Sequence, residues 1–155
     1  MLGVLHLPAL LETYTAAAGG GAWLGGAPIA ASARTGLAGA RIAGPRPLLD
    51  ALRRQGLDFE AEPKVPSLAY RFARVASGSL DAAVASTDAH DWDIAAADLI
   101  LREAGGAITD LQGRVPIYNA PSPRHGVLVA APASLRDQLN AALTNGRDAA
   151  VVAQG

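Results

Sequence analysis

Four ionisable side chains crowd into one short stretch of this chain: Asp88, His90, Asp91 and Asp93 stand in the approach to a helix and in its first turn. Carboxylates are the preferred ligands of Mg²⁺ and other hard cations, so an oxygen-rich cluster of this kind suits a metal site. The same residues serve as helix caps, because an Asp in the first turn bonds free backbone amides and favours the helix dipole. Capping needs only one of the three Asp residues and leaves the others unexplained. Spacing alone leaves both readings open, a cation site or a set of caps and solvated loop charges.

The helix that must position this cluster runs from Asp93 to Ala104, without an interior Gly or Pro. Ile94, Ala97, Ile100, Leu101 and Ala104 follow the helical period, and Gly105-Gly106 supply a positive-φ stop. A strand from Leu80 to Ala85 delivers the chain to Asp88. Polar residues at the carboxyl end of a strand, in the loop before a helix, are where open α/β sheets bind ligands.

The run Trp92-Asp93-Ile94-Ala95-Ala96-Ala97, followed by Glu103-Ala104-Gly105-Gly106, resembles the C-terminal signature of the inositol monophosphatase superfamily, Mg²⁺-dependent and lithium-sensitive phosphomonoesterases. The resemblance implies that Asp93 is a metal ligand with Trp92 packed behind it, that Mg²⁺ is the cofactor, and that the substrate is a small phosphorylated molecule. It runs from Leu2 to about Leu139, yet corresponds only to the second part of a family member. The family's other ligands, a Glu of a Glu-Glu pair and an Asp-Pro-Ile/Leu-Asp-Gly-Thr motif whose Thr orients the attacking water, lie upstream and occur nowhere here. One carboxylate cannot hold Mg²⁺, which demands near-octahedral geometry. The chain alone is therefore expected to be inactive, with no catalytic residue retained, whereas a full-length version would hydrolyse phosphomonoesters.

The same resemblance implies the substrate residues. Ser67, Leu68 and Ala69 align with the family's segment near the substrate phosphate. Inositol-hydrolysing members carry a Glu seven residues before the Trp-Asp aspartate, where this chain has Ser86. The sibling 3'(2'),5'-bisphosphate nucleotidases also lack that Glu, so a 3'-phosphoadenosine-type nucleotide is the expected substrate, with inositol monophosphate or a truncated, non-catalytic role as alternatives. Arg71 reads either as the partner of a second phosphate or as a helix-surface charge. His90 reads as a ligand or proton donor, or as a hydrogen-bonding loop residue. His6 and His125 show no partners in the sequence.

Half of the 155 residues are hydrophobic and 17% are charged, which excludes general disorder. The 13 basic and 14 acidic side chains nearly cancel, so nothing points to nucleic acid. The absence of cysteine removes thiolate and disulfide chemistry and fits a cytoplasmic protein. Met1 to Leu11 lacks a basic flank, contains Pro8 and is too short to span a membrane.

That opening run reads instead as a strand, Leu2 to Leu7, of a chain joined partway through a fold. Its unpaired edge is expected to drive self-association or a homo-oligomer. Glu12 to Ala17 is the return strand. The glycine-rich stretch Gly19 to Ile29 lacks a phosphate-loop ending and reads as a hairpin with Trp23 in the core. The expected fold is mixed α/β: residues 1–37 as an antiparallel remnant of a first sheet domain, 38–143 as the C-terminal α/β domain, and 144–155 as a mobile tail. Helices are expected from Gly44-Pro45 through Gln55, over Ser67 to Ala76 with Ser67 as N-cap, and from Pro132 to Leu143.

Overall fold

The computed structural model describes residues 1–63 and 65–152, the side chains of 147–152 excepted. Two main sheets form, beside one two-stranded pair. The first is an antiparallel meander of β1 (Leu2–Leu7), β2 (Glu12–Ala17), β3 (Gly21–Leu24) and β4 (Ala27–Ile29), in that spatial order. Its glycine bend is a true turn, with Gly19 and Gly21 at φ of 75° and 80°, which only glycine adopts without strain. The second sheet holds β5 (Ala40–Ala43), β6 (Phe59–Ala61), β7 (Ala82–Ala85), β9 (Ala107–Thr109) and β11 (Leu128–Ala131), in the order β6-β5-β7-β11-β9. Strands β6, β5 and β7 are parallel, and β11 runs antiparallel to both β7 and β9.

Four helices complete the fold: α1 (Arg46–Arg54), α2 (Leu68–Ala76), α3 (Asp91–Glu103) and α4 (Ala133–Val152). Side-chain alternation in the central strands sorts them into layers. Ala83, Ala85, Leu128 and Ala130 face one core with Phe72, Val75, Ile94, Leu101 and, from the first sheet, Tyr14, Ala16 and Ala22. Ala82, Val84, Val129 and Ala131 face the other, with Leu49, Leu52, Leu135 and Leu139. The order through the molecule is therefore first sheet, α2 with α3, second sheet, α1 with α4. Strands buried on both faces carry no polar alternation, and the small residues of Ala-Ala-Val-Ala in β7 bring helices close on either side. Gly3 does the same for the first sheet, since a Cβ there would stand 3.1 Å from the Ala96 carbonyl of α3.

Several expectations are corrected. Trp23 is not a core residue: Ala22 takes the buried side of β3, so strand alternation turns Trp23 outward, 39% exposed. The closing helix continues beyond Leu143 to Val152, so most of the expected tail is helical, while residues 153–155 lie outside the described residues. The helix carrying the acidic cluster starts at Asp91 rather than Asp93, and a two-stranded pair that the sequence did not signal joins β8 (Ala89–His90) to β10 (Arg124–His125). Among the described residues no helix is long and apolar enough to cross a membrane.

Asp81, 2% exposed, secures the crossing from β5 to β7. It accepts the Arg41 amide at 2.8 Å and lies 3.4 and 3.6 Å from the guanidinium nitrogens of Arg41 and Arg34. Burial pushes its carboxyl up, but the Arg41 amide, the Ser32 hydroxyl and the Arg41 charge outweigh this and hold it below the usual range. A depressed folded pKa gives stability that is present above the unfolded value and lost as pH falls through the folded one. Asp81→Asn is expected to cost about 2 kcal/mol at neutral pH. In urea unfolding, the gap from wild type should shrink as pH falls below about 4.

Candidate functional site

The chain leaves β5 toward α1 on one face of the second sheet and leaves the adjacent parallel strand β7 toward α3 on the other. Neighbouring strands whose exits diverge in this way open a crevice at their carboxyl ends, the position where open α/β sheets take ligands. A cleft of about 530 Å³ lies there, lined by Pro45, Arg46 and Pro47 after β5, by Ala85 to Ala89 after β7, and by Leu68, Arg71 and Asp93. The first turns of α1, α2 and α3 all border it, and helix N-termini favour anions.

The structure divides the acidic cluster between two jobs. Asp93 accepts the His90 amide at 3.0 Å, so it caps α3 and also lines the cleft. Asp88 lines the cleft too, its backbone at a φ of 87°, its carboxylate making an exposed contact to Arg124 at 3.4 Å. Asp91 turns away. Its carboxylate accepts the Asn119 amide at 2.9 Å and lies 2.7 Å from Nε2 of His125. The Asn119 amide and the His125 ring hold the Asp91 carboxyl below its ordinary value, against a smaller opposing effect of burial.

His125 therefore has a partner, one found 34 residues upstream and invisible to any local pattern. Two main-chain bonds extend the clamp, from the Asp91 amide to the Pro123 carbonyl and from the Asp88 amide to the His125 carbonyl, at 3.0 and 3.1 Å. Tyr118 adds a third anchor by donating to Asp98 at 2.9 Å. Asp98 sits on the apolar face of α3, where burial pushes its carboxyl up despite Tyr118 and Arg102. An acid at that helical position was the available signal for this contact.

Of the residues expected to bind substrate, Leu68, Arg71 and Ser86 come together with Asp93 in the cleft. Ser67 and Ala69 flank Leu68, and the Ser67 hydroxyl is engaged as N-cap by the Tyr70 amide at 3.2 Å. Arg71 is not a helix-surface charge, being only 6% exposed. Its guanidinium donates to the carbonyls of Val84 and Val65 at 3.1 and 2.7 Å, its Nε has no partner among the described residues, and burial lowers its pKa. Trp92 does not pack behind Asp93. It is 72% exposed and stacks on His90 with ring centres 4.4 Å apart. Thr87, Arg46 and the prolines flanking it line the cleft without having been singled out by the sequence.

Among the described residues no three His, Asp or Glu side chains converge to hold a metal ion. Two carboxylates in the cleft fall short of the ligand set of a hard divalent cation, so the residues present do not form a complete Mg²⁺ site.

Comparison with known proteins gives one consistent result. The model of the inositol monophosphatase family matches residues 1–147. An inositol-1-monophosphatase of Mesorhizobium japonicum is 32% identical over 120 residues, 72% of this chain and 45% of that protein. A fructose-1,6-bisphosphatase/inositol-1-monophosphatase of Thermotoga maritima is 32% identical over 119 residues, 73% of this chain and 45% of that protein. Among solved structures, the extragenic suppressor protein SuhB of Bartonella henselae superposes with a TM-score of 0.79 at 28% identity, covering 92% of this chain and 56% of that one. The Thermotoga maritima IMPase does so at 0.77 and 28%, covering 95% and 57%. The chain spans about half the length of the relatives it matches.

Removing the ring in His125→Ala is expected to destabilise the protein by about 1–2 kcal/mol, the range for a bond to a charged group. It should also speed amide exchange at Asp88 and Asp91. Asp88→Asn, which loses only an exposed ion pair, should change stability by less than about 0.5 kcal/mol. Equal effects in urea unfolding would remove the distinction between clamp and cleft residues.

Proposed function

This chain belongs to the inositol monophosphatase family, whose members are phosphatases, and we propose that it supplies the substrate-side half of a Mg²⁺-dependent phosphomonoesterase. The observation that carries this reading is the cleft itself, which joins Asp93 and Asp88 to three helix N-termini at the point where β5 and β7 diverge. In this reading Asp93 is one metal ligand. The α2 start, Ser67 to Ala69, lies toward the substrate phosphate, and Ser86 at the exit of β7 faces the rest of the substrate.

The proposed substrate is a 3'-phosphoadenosine-type bisphosphate nucleotide. Ser86 stands where a Glu would serve an inositol hydroxyl. Arg71 is a buried cation bordering the cleft with no carboxylate partner among the described residues. Leaving a buried charge uncompensated is costly, and a second anionic group on the substrate would offset it. The inositol phosphate reading draws its support from the name of the Mesorhizobium japonicum relative.

The chain by itself is expected to release no phosphate from adenosine 3',5'-bisphosphate or inositol 1-phosphate, with or without Mg²⁺. Calorimetric titration with Mg²⁺ should give no binding heat, with Asp93→Asn as the control. Metal-dependent turnover by the purified chain would overturn this. In a complete enzyme containing this half, kcat/KM for the nucleotide should exceed that for inositol 1-phosphate, and the reverse order would return the assignment to inositol phosphate.

A further inference from the structure

The pair of strands β8 and β10 separates two hollows. Beside β8, Asp88 and Ala89 line the candidate cleft. Beside β10, Arg124 and His125 line a second hollow of about 290 Å³, shared with the segment between β9 and β10 and with Leu128 of β11. The two hollows have no lining residue in common, yet the wall between them is thin. The Asp88 amide donates to the His125 carbonyl at 3.1 Å, and Arg124 reaches across to the Asp88 carboxylate at 3.4 Å.

The lining of the second hollow joins two kinds of surface. Val115 and Ile117, both well exposed, give it an apolar side together with Pro116 and Leu128. Arg114 and Arg124 bring guanidinium groups, which stay charged at any working pH and present planar forks that match a carboxylate. Among the described residues Asp110 is the one acidic side chain of the lining, and its oxygens are engaged. It accepts the Gln112 and Arg114 amides at 2.9 Å each and Nε of Arg114 at 2.7 Å. Arg124 is held more loosely, because it and Asp88 are 65% and 71% exposed at their longer separation. An exposed pair of that kind contributes little, so a better partner displaces it readily.

We propose that this second hollow binds a small organic carboxylate with an apolar body, and that the carboxylate competes with Asp88 for Arg124. The guanidinium of Arg124 takes the carboxylate bidentately, a stronger arrangement than the contact it replaces. The apolar body lies against Val115, Pro116 and Ile117. Two arginines against one aspartate leave the lining with a single spare positive charge. That matches a carboxylate, whereas a phosphate monoester carries about two negative charges at neutral pH. Two guanidinium groups oppose a metal cation, and a volume at the small end of the about 300–1,000 Å³ of ligand sites suits a metabolite rather than a polypeptide. An occupant that takes Arg124 leaves Asp88, on the cleft side, without its counter-charge. The two hollows are thus coupled through one side chain, and such a coupling is reciprocal. Neither the site nor the coupling depends on the phosphatase reading.

The test is a fluorine NMR titration of the chain with para-fluorobenzoate, with para-fluorobenzamide as its uncharged counterpart and amide spectra of the protein to locate the site. The benzoate should bind saturably and shift the amides of Ile117, Ser122 and Arg124. The benzamide should bind at least about tenfold more weakly, the effect of losing a bond between charged groups. Arg124→Gln, at an exposed side chain, should weaken the benzoate by a similar factor while leaving amides remote from β10 unshifted. Asp88→Asn should tighten the benzoate by up to about fivefold, because it removes the competitor for Arg124. Inorganic phosphate at equal concentration should not displace the benzoate. Full-strength binding of the benzamide, or of the benzoate to Arg124→Gln, would overturn the proposal. So would displacement by phosphate, or shifts at Ser86 and Thr87 in place of Ile117 and Ser122, which would put the anion in the cleft. Wild-type affinity in Asp88→Asn would break the coupling.

Discussion

Burial of β7 on both faces is the constraint on which the rest of this structure depends. Its four residues, Ala-Ala-Val-Ala, are all buried, with Ala83 and Ala85 against α2 and α3 and Ala82 and Val84 against α1 and α4. Small side chains let helices approach the sheet from either side. The strand itself must then end where polar residues can reach water, and it ends at Ser86, Thr87 and Asp88. The divergence of the β5 and β7 exits makes that end a cleft. Gly44, whose Cβ would collide with the Val84 side chain, shows how closely the two strands' surroundings are packed at that point.

Charge is placed with the same economy. Three Asp residues at one helix start would repel one another if they shared a direction. Asp91 is turned away and held by Asn119 and His125, while Asp93 and Asp88 remain at the cleft. The clamp ties the 118–125 segment to the loop that carries the candidate ligand, so packing far from the cleft sets the position of Asp93. Arg71 follows a related logic in reverse, a cation pinned by two carbonyls inside the protein rather than solvated on a helix surface.

The first sheet lacks a comparable closure on its outer side. Leu2, Val4 and Trp23 leave an apolar face open, and among the described residues the cleft lacks the ligands of a complete cation site. Both features fit a chain that spans about half the length of its relatives.

The sequence by itself determined most of the elements and the family. Helical periodicity from Ile94 to Ala104, the glycine stops, the strands on either side of Pro8 and the Trp-Asp and Glu-Ala-Gly-Gly runs are local signals, written in neighbouring residues. It also placed the cleft, because a strand delivering polar residues to a helix start is a local pattern. What only the tertiary structure decided is everything that joins distant residues: the partnership of His125 with Asp91, the anchoring of Tyr118 on Asp98, the burial of Arg71 and the exposure of Trp23 and Trp92. Side-chain direction in a strand or helix depends on which face meets another layer, and one strand's residues cannot report which of its faces is covered. The outward turn of Trp23 is a consequence of that layer order, not of the residues on either side of it.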